Sequence, residues 1–142
     1  MKNLTKTYQI NEISKNIIDN FELKKSMILP ENFKNFILDY QGTGVNEILF
    51  YDKKNTLWVL NGFLIFEEME KLYETFLEKY KRKLFPFAFD SGGWHFCLCM
   101  DGYDFGTIYI NRWTDHLPEE QFLKIADNFE EFINGLNCEE EV

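Results

Sequence analysis

Residues 87–100 read FAFDSGGWHFCLCM, and this stretch decides the fold. Two runs of large apolar residues flank Ser91-Gly92-Gly93, a tripeptide that favours a tight turn because glycine accepts backbone conformations that other residues avoid. In a strand, side chains alternate between two faces. The second run would therefore place three chemically distinctive residues on one face: His95, Cys97 and Cys99. The stretch predicts a β-hairpin.

The strand pattern continues on both sides of this hairpin. Residues 84–90, 94–100 and 107–113 form strand-like runs joined by turns at 91–93 and 101–106, which predicts a three-stranded meander. Upstream, the segments EILFYD and TLWVLNGFL flank Lys53-Lys54-Asn55 and predict a further strand pair.

Apolar residues at helical spacing predict helices over residues 9–22, over about 30–41 and from Phe66 to Tyr80. A last helix follows Asp127-Asn128-Phe129-Glu130, which resembles a capping box. Residues 121–126 fit either a strand or a backward extension of that helix. Because the strands cluster, we expect an α+β domain whose largely antiparallel, mixed sheet of about five to six strands has helices packed on one side.

Composition and charge exclude several classes of function. The chain has 142 residues, and its Phe 15, Tyr 7 and Trp 3 argue against disorder. Residues 1–85 carry 13 basic and 12 acidic side chains, whereas residues 86–142 carry 2 basic and 12 acidic ones. This acidic half disfavours nucleic acid as a ligand and favours a protein partner with a basic surface.

The sequence also predicts the compartment. It has no run of apolar residues long enough for a signal peptide or a membrane span, and its three cysteines are an odd number. We therefore expect a cytoplasmic protein with no membrane association, present as a monomer or a weak homodimer.

The alternating His95, Cys97 and Cys99 raise two chemical hypotheses. A zinc site would need a fourth ligand, His116 or Cys138, but side chains two apart on a strand diverge by ~6.5–7 Å. A cysteine nucleophile paired with a histidine would need electropositive surroundings, and this half of the chain is acidic. Small buried thiols explain the pattern better.

Two further motifs are better explained as turns. Asp101 and Asp104 in DGYDFG lack the spacing of an EF-hand loop and suit a hairpin turn. Gly42-Thr43-Gly44 follows a helix rather than a strand, so it ends that helix instead of cradling phosphate. We therefore expect no catalytic residues, no metal and no cofactor.

The ordered set of segments resembles the SUKH superfamily, named in part for a yeast regulator of cell-wall synthesis. The resemblance spans about residues 28–136 and rests on LPENFKNFILDYQGTG, LWVLNGF, LFPFAFDSGGWHFCL, GTIYI and IADNFEEFINGL. It implies an α+β domain without established catalytic residues, and it favours a short strand ending at Ala126. Three features depart from the family pattern: a long first helix, Gln41 before Gly42, and the His-Phe-Cys-Leu-Cys run.

Bacterial members of this superfamily are mostly similar to immunity proteins that bind and block a toxin, often a nuclease or a deaminase. The resemblance thus implies one SUKH-like domain over 1–142, with a core of about 28–136 behind the N-terminal helix. The alternative is a regulatory scaffold or adaptor that binds a protein or peptide. Aromatic residues beside acidic ones suit a basic partner, which predicts these binding residues: Trp94, His95, Asp101, Tyr103, Asp104, Trp113 and Asp115.

Overall fold

The computed structural model describes residues 1–8, 12–113, 117 and 120–139. Within this part, the helices are α1 (Lys15–Lys25), α2 (Glu31–Tyr40), α3 (Phe66–Tyr80) and α4 (Phe129–Asn134). The strands are β1 (Leu49–Tyr51), β2 (Leu57–Val59), β3 (Gly62–Phe63), β4 (Leu84–Phe89), β5 (His95–Cys99), β6 (Ile108–Asn111) and β7 (Phe122–Ala126). None of these helices combines the length and the apolar character that a membrane span requires.

The strands form two antiparallel sheets. The large sheet has the order β3-β4-β5-β6-β7, and β1 pairs with β2 in a separate hairpin. Leu49 of β1 also forms a single antiparallel bridge with Asn137. The predicted α+β class and antiparallel meander are confirmed. Residues 122–126 form a strand beside β6, so the strand alternative for this segment is correct. The structure differs from the expected single sheet, because the β1–β2 hairpin forms a separate two-stranded sheet.

The first helix lies further along the chain than the predicted 9–22. Ser14 is the N-cap and has an extended backbone, with φ −82° and ψ 149°. The helix then runs to Lys25 and ends where Ser26 turns left-handed, with φ 51°. Its buried residues are Ile18 and Phe21, so the helix begins only where its apolar face meets the core. Residues 9–11 lie outside the described residues.

One face of the large sheet, here called the main face, carries an aromatic core. Phe96 and Leu98 of β5 point into it. Phe33 of α2 packs edge-to-face against Phe129 of α4, with ring centroids 4.9 Å apart, and against Phe87 of β4, at 5.8 Å. Such edge-to-face pairs add to the stabilisation that burial already supplies. Helices α2 and α4 therefore pack against the sheet on this face.

The opposite face, here called the second face, carries a smaller cluster. Cys97 and Cys99 of β5 pack there with Leu84 and with Phe76 of α3. Helix α3 serves both faces, because its N-terminal half contributes Met69 to the main core. The alternation predicted for β5 is thus confirmed: its thiols and its large apolar residues lie on opposite faces.

Candidate protein-binding surface

The structure divides the predicted binding residues between two turns. Asp101, Tyr103 and Asp104 lie in the β5–β6 turn, whereas Trp94, His95 and Trp113 lie near the β4–β5 turn. Asp115 lies outside the described residues, as does His116, the histidine considered as a metal ligand or a base.

The β5–β6 turn, residues 101–106, is here called the hairpin tip. Tyr103 has a relative exposure of 104% and Phe105 one of 53%. Gly102 and Gly106 have φ of 70° and 92°, a region that other residues adopt at a cost, and they let the chain reverse tightly. Phe105 was missed in the sequence prediction. The sequence did contain a signal for its exposure: Phe105 lies between Asp104 and Gly106, in a turn too short to bury a ring.

The two aspartates of the tip are held inside a polar network. Asp101 Oδ2 accepts from the Lys83 backbone N–H at 2.6 Å. Arg82 Nη2 lies 3.5 Å from Asp101 Oδ1 and 3.6 Å from Asp104 Oδ2. Tyr109 donates its hydroxyl hydrogen to Asp104 Oδ2. The arginine therefore compensates both carboxylates, and they anchor the tip to the α3–β4 connection and to β6.

Protonation states in this network follow from its contacts. The hydrogen bond from Tyr109 holds the pKa of Asp104 below its ordinary 3.8, and Arg82 acts in the same direction. Burial, with the bond to Asp104, raises the pKa of Tyr109 to about 12. Burial opposes the charge on Arg82, but nearby Cys99, Asp101 and Asp104 raise its pKa above the usual range of an arginine. At neutral pH the tip therefore has a charged arginine, an ionised Asp104 and a neutral tyrosine.

Cys99 joins the same network, and this bears on metal binding. One ligand atom each from Cys99, Asp101 and Asp104 lie within 4.8 Å of one another. However, Arg82 Nη2 is 3.3 Å from Cys99 Sγ, so a cation already faces this group. Burial raises the pKa of the Cys99 thiol to about 11, which keeps it protonated at neutral pH. The cluster has the chemistry of a salt-bridged network.

The proposed pairing of Cys97 with His95 has no catalytic geometry. The Cys97 thiol donates to the carbonyl oxygen of His95, with 3.7 Å between the heavy atoms. Cys97 is fully buried, and burial raises its pKa far above the usual range. The His95 ring packs against Phe76 and Trp113, and burial lowers its pKa. A protonated thiol and a neutral imidazole that do not contact each other through their reactive atoms make a poor nucleophile–base pair.

The tryptophans near the β4–β5 turn are half-buried. Asp90 Oδ1 accepts from the backbone N–H groups of Gly92 and Trp94, both at 2.9 Å. Trp113 Nε1 donates to the Gly93 carbonyl at 3.1 Å, and its ring lies 5.3 Å from that of Phe76. Through these contacts the tryptophans hold the turn. Among the predicted binding residues that the structure describes, Tyr103 is therefore the most accessible.

Comparisons with known proteins agree with this fold. The SUKH_6 family model, described as SMI1-KNR4 cell-wall, matches residues 15–133. The SPbeta prophage-derived uncharacterized protein YokK of Bacillus subtilis (strain 168) is 26% identical over 132 residues, and the match covers 76% of this chain and 66% of that relative. The chain thus spans about two thirds of the relative's length.

No solved structure matches the chain significantly. The family is generally non-enzymatic and includes toxin-immunity proteins. The match to its family model extends over most of the chain, from α1 to α4. The chain therefore belongs to the SUKH family, the SMI1-KNR4 family.

Proposed function

We propose that this chain is an immunity protein that acts in the cytoplasm and neutralises a nuclease or deaminase toxin by binding it, without catalysis. The observation that carries the proposal is the exposure of Tyr103 and Phe105 on the anchored hairpin tip. Aromatic side chains dominate the energetic centres of protein interfaces, and here they stand on a turn where neither ring is buried in the core.

The anchoring of the tip strengthens this argument. Binding costs free energy when mobile groups must be ordered, so a turn that is already held binds more tightly than a loose one. Arg82 and Tyr109 fix Asp104, and the Lys83 backbone fixes Asp101. Asp101 and Asp104, which were predicted to contact the partner, therefore hold the turn that carries the two aromatic rings.

The net charge supports a basic partner through long-range attraction, whereas the sequence prediction relied on direct contact with Asp101 and Asp104. The acidic side chains of residues 86–142 outnumber the basic ones by 12 to 2, and this field accelerates the approach of a positively charged protein. Because Arg82 compensates Asp101 and Asp104, the tip itself would contribute mainly apolar contact area. Charge would set the association rate, and the two rings would set the lifetime of the complex.

The test is co-expression of the chain with the product of a neighbouring gene that inhibits bacterial growth. The relative's description as prophage-derived supports this search, because a prophage offers a bounded set of neighbouring genes. We expect the wild-type chain to restore growth and to bind the purified toxin in calorimetry. Failure to neutralise or bind any neighbouring toxin would overturn the proposal, and binding to a non-toxic protein would favour a regulatory adaptor.

A paired set of variants locates the contact. Tyr103→Ala combined with Phe105→Ala removes both tip rings, and we expect a loss of affinity of about 30-fold or more. Leu23→Ala combined with Ile28→Ala removes two side chains that are exposed by 79% and 81% in the α1 region, and we expect no change. If the two double variants bind the toxin with equal affinity, the tip is not the binding surface.

A further inference from the structure

A pocket of about 470 Å³ lies between the turn of the β1–β2 hairpin and the last strand of the large sheet. The hairpin turn lines one side with Asp52, Lys53, Lys54 and Thr56, and residues 123–127 line the other. Sites for small organic molecules in proteins have volumes of about 300–1,000 Å³, so this pocket has a suitable size. None of its lining residues belongs to the hairpin tip.

The floor of the pocket is apolar. Leu123 is half-buried, while Ile125 and Ala126 are buried. Ile125 and Ala126 belong to the main core, and Leu123 packs against it. Because the core already holds these side chains in place, a ligand would meet a preformed apolar surface and would not have to order it.

The charged side chains beside β7 neutralise one another. Asp127 contacts Lys53 of the hairpin turn, and it also lies 2.8 Å from Lys124. Glu131 of α4 attracts Lys53 as well. Two lysines are therefore matched by two carboxylates on this side of the pocket.

The remaining two charges lie within the hairpin turn. Asp52 Oδ1 accepts from the backbone N–H groups of Lys54 and Thr56, both at 2.9 Å, and its Oδ2 accepts from Trp58 Nε1 at 3.0 Å. The Lys54 side chain attracts the same carboxylate. Because every lysine at the pocket is matched by a carboxylate, a charged ligand would lose its hydration without gaining an unpaired partner. The pocket therefore favours an uncharged ligand.

An ion pair closes one end of the pocket. Lys53 belongs to the hairpin turn and Asp127 follows β7, so their contact joins the two walls. An extended peptide lying along β7 would have to pass this bridge, whereas a compact molecule would lie beside it. The closed end therefore favours a small molecule over a peptide.

The backbone of Lys124 supplies polar groups to the pocket. The Arg112 N–H donates to the Gln121 carbonyl at 2.8 Å, and Tyr109 is the cross-strand partner of Lys124. By the alternation of antiparallel pairing, Lys124 directs its own N–H and C=O away from β6. A ligand in the pocket would thus find one hydrogen-bond donor and one acceptor above an apolar floor.

We propose that this pocket binds an uncharged, largely apolar small molecule that carries a hydrogen-bonding group. Its apolar part would contact Leu123, Ile125 and Ala126, and its polar group would bond to the backbone of Lys124. This inference adds a second ligand to the toxin proposed above. It uses none of the contacts at the hairpin tip, so the two proposals stand or fall separately.

The first experiment compares two fluorescent probes that differ by one charged group. N-phenyl-1-naphthylamine is uncharged, and 8-anilino-1-naphthalenesulfonate has the same skeleton with an added sulfonate. Binding of each probe to the full chain is measured by fluorescence titration. We expect the uncharged probe to bind at least about tenfold more tightly than the sulfonate. Equal affinity, tighter binding of the sulfonate, or no measurable binding of the uncharged probe would overturn the proposal.

A charged substitution at the rim locates the site. Thr56 is exposed, and the turn uses its backbone N–H and C=O, so Thr56→Glu leaves the turn contacts in place and adds an unpaired carboxylate. We expect this variant to weaken binding of the uncharged probe by about fivefold. Thr75→Glu makes the same change at an exposed position of α3, and we expect no more than about a twofold effect. Equal weakening by both variants would show that the probe is not in this pocket.

A further pair of variants separates the pocket from the hairpin tip, whose exposed rings could also attract an apolar probe. Leu123→Asn makes the floor polar, and we expect it to weaken binding of the uncharged probe by about fivefold or more. Tyr103→Ala combined with Phe105→Ala should change this affinity by no more than about twofold. Circular dichroism shows whether Leu123→Asn folds, and Thr56→Glu keeps the test decisive if it does not. Loss of probe binding in the tip variant, with binding retained in Leu123→Asn, would overturn the proposal.

Discussion

The two faces of the large sheet differ in chemistry and in what they do. The main face is filled with rings: Phe33, Phe87 and Phe129 meet edge-to-face, and each is at most 3% exposed. The second face mixes Phe76 with thiols, an imidazole and polar side chains. The main face therefore holds the fold together, whereas the second face and the adjoining hairpin tip position polar and exposed groups.

Unpaired polar atoms sharpen this contrast. Among the described residues, the buried side-chain atoms without a hydrogen-bond partner are Tyr80 Oη, His95 Nδ1 and Asn111 Nδ2. His95 and Asn111 are cross-strand partners and so share the second face, and the Tyr80 ring packs on Phe76 there. Buried polar atoms without partners reduce stability. The second face is thus the less stabilising side of the sheet.

The largest expected effect comes from a cavity on the main face. Phe87→Ala removes a fully buried ring that contacts Phe33, Phe129 and Phe132, and we expect the free energy of unfolding to fall by about 3–5 kcal/mol. Cys97→Ala on the second face removes one heavy atom and should cost about 1 kcal/mol. Urea unfolding followed by circular dichroism measures both, and equal losses would contradict the contrast between the faces.

The next effect concerns the network below the hairpin tip. Arg82→Met leaves Asp101 and Asp104 without their shared cation, and we expect a loss of about 1–2 kcal/mol at pH 7. Lys71→Met is the control, because its exposed pair with Glu67 should contribute at most about 0.5 kcal/mol. Urea midpoints at several pH values provide the measurement.

The sign of the pH dependence follows from Asp104. Its folded pKa is lowered below 3.8, so the stability it contributes is present above 3.8 and is lost as the pH falls through the folded value. The difference between wild type and Arg82→Met should therefore narrow on acidification from pH 5 to pH 2.5. A difference that stays constant over that range would show that Arg82 acts by packing alone.

A smaller effect is expected at His95. Burial lowers its pKa below the ordinary 6.5, although Asp90 partly opposes this. The folded state therefore binds fewer protons than the unfolded one, and the stability from His95 is full above pH 6.5 and declines as the pH falls below it. Between pH 7.5 and pH 5.5, wild type should lose more free energy of unfolding than His95→Phe. If the free energies of unfolding of wild type and His95→Phe change in parallel with pH, the pKa of His95 is the same in the folded and unfolded states.

The smallest effect on stability is expected at the tip rings. Tyr103→Ala and Phe105→Ala remove side chains that are exposed by 104% and 53%, so each should change the free energy of unfolding by no more than about 0.5 kcal/mol. Differential scanning calorimetry of the two variants provides the check. A loss above about 1.5 kcal/mol would mean that these rings support the fold, and the case for a binding role would weaken.

Local patterns explain why much of the fold was predictable. The alternation in β5 correctly separated the thiols from Phe96 and Leu98, because the period of a strand is a property of a few residues. The helical face of α2, with Phe33 and Phe36, was equally clear. The first helix was placed too early, because apolar spacing marks a possible helix but the position of the core decides where it begins.

The sequence by itself determined the order of the helices and of the strands other than β3, the family resemblance and the place of Tyr103 in a turn. It did not separate β3 from β2, because both lie in the apolar segment TLWVLNGFL. Only the tertiary structure showed that Arg82 reaches Asp101 and Asp104, that the β1–β2 hairpin faces β7, and that the Phe105 ring is exposed at the tip. The physical reason is the distance along the chain over which each kind of interaction acts. Periodicity and turn preference arise between neighbours in the chain, whereas ion pairs and grooves between distant segments depend on how packed elements meet in space.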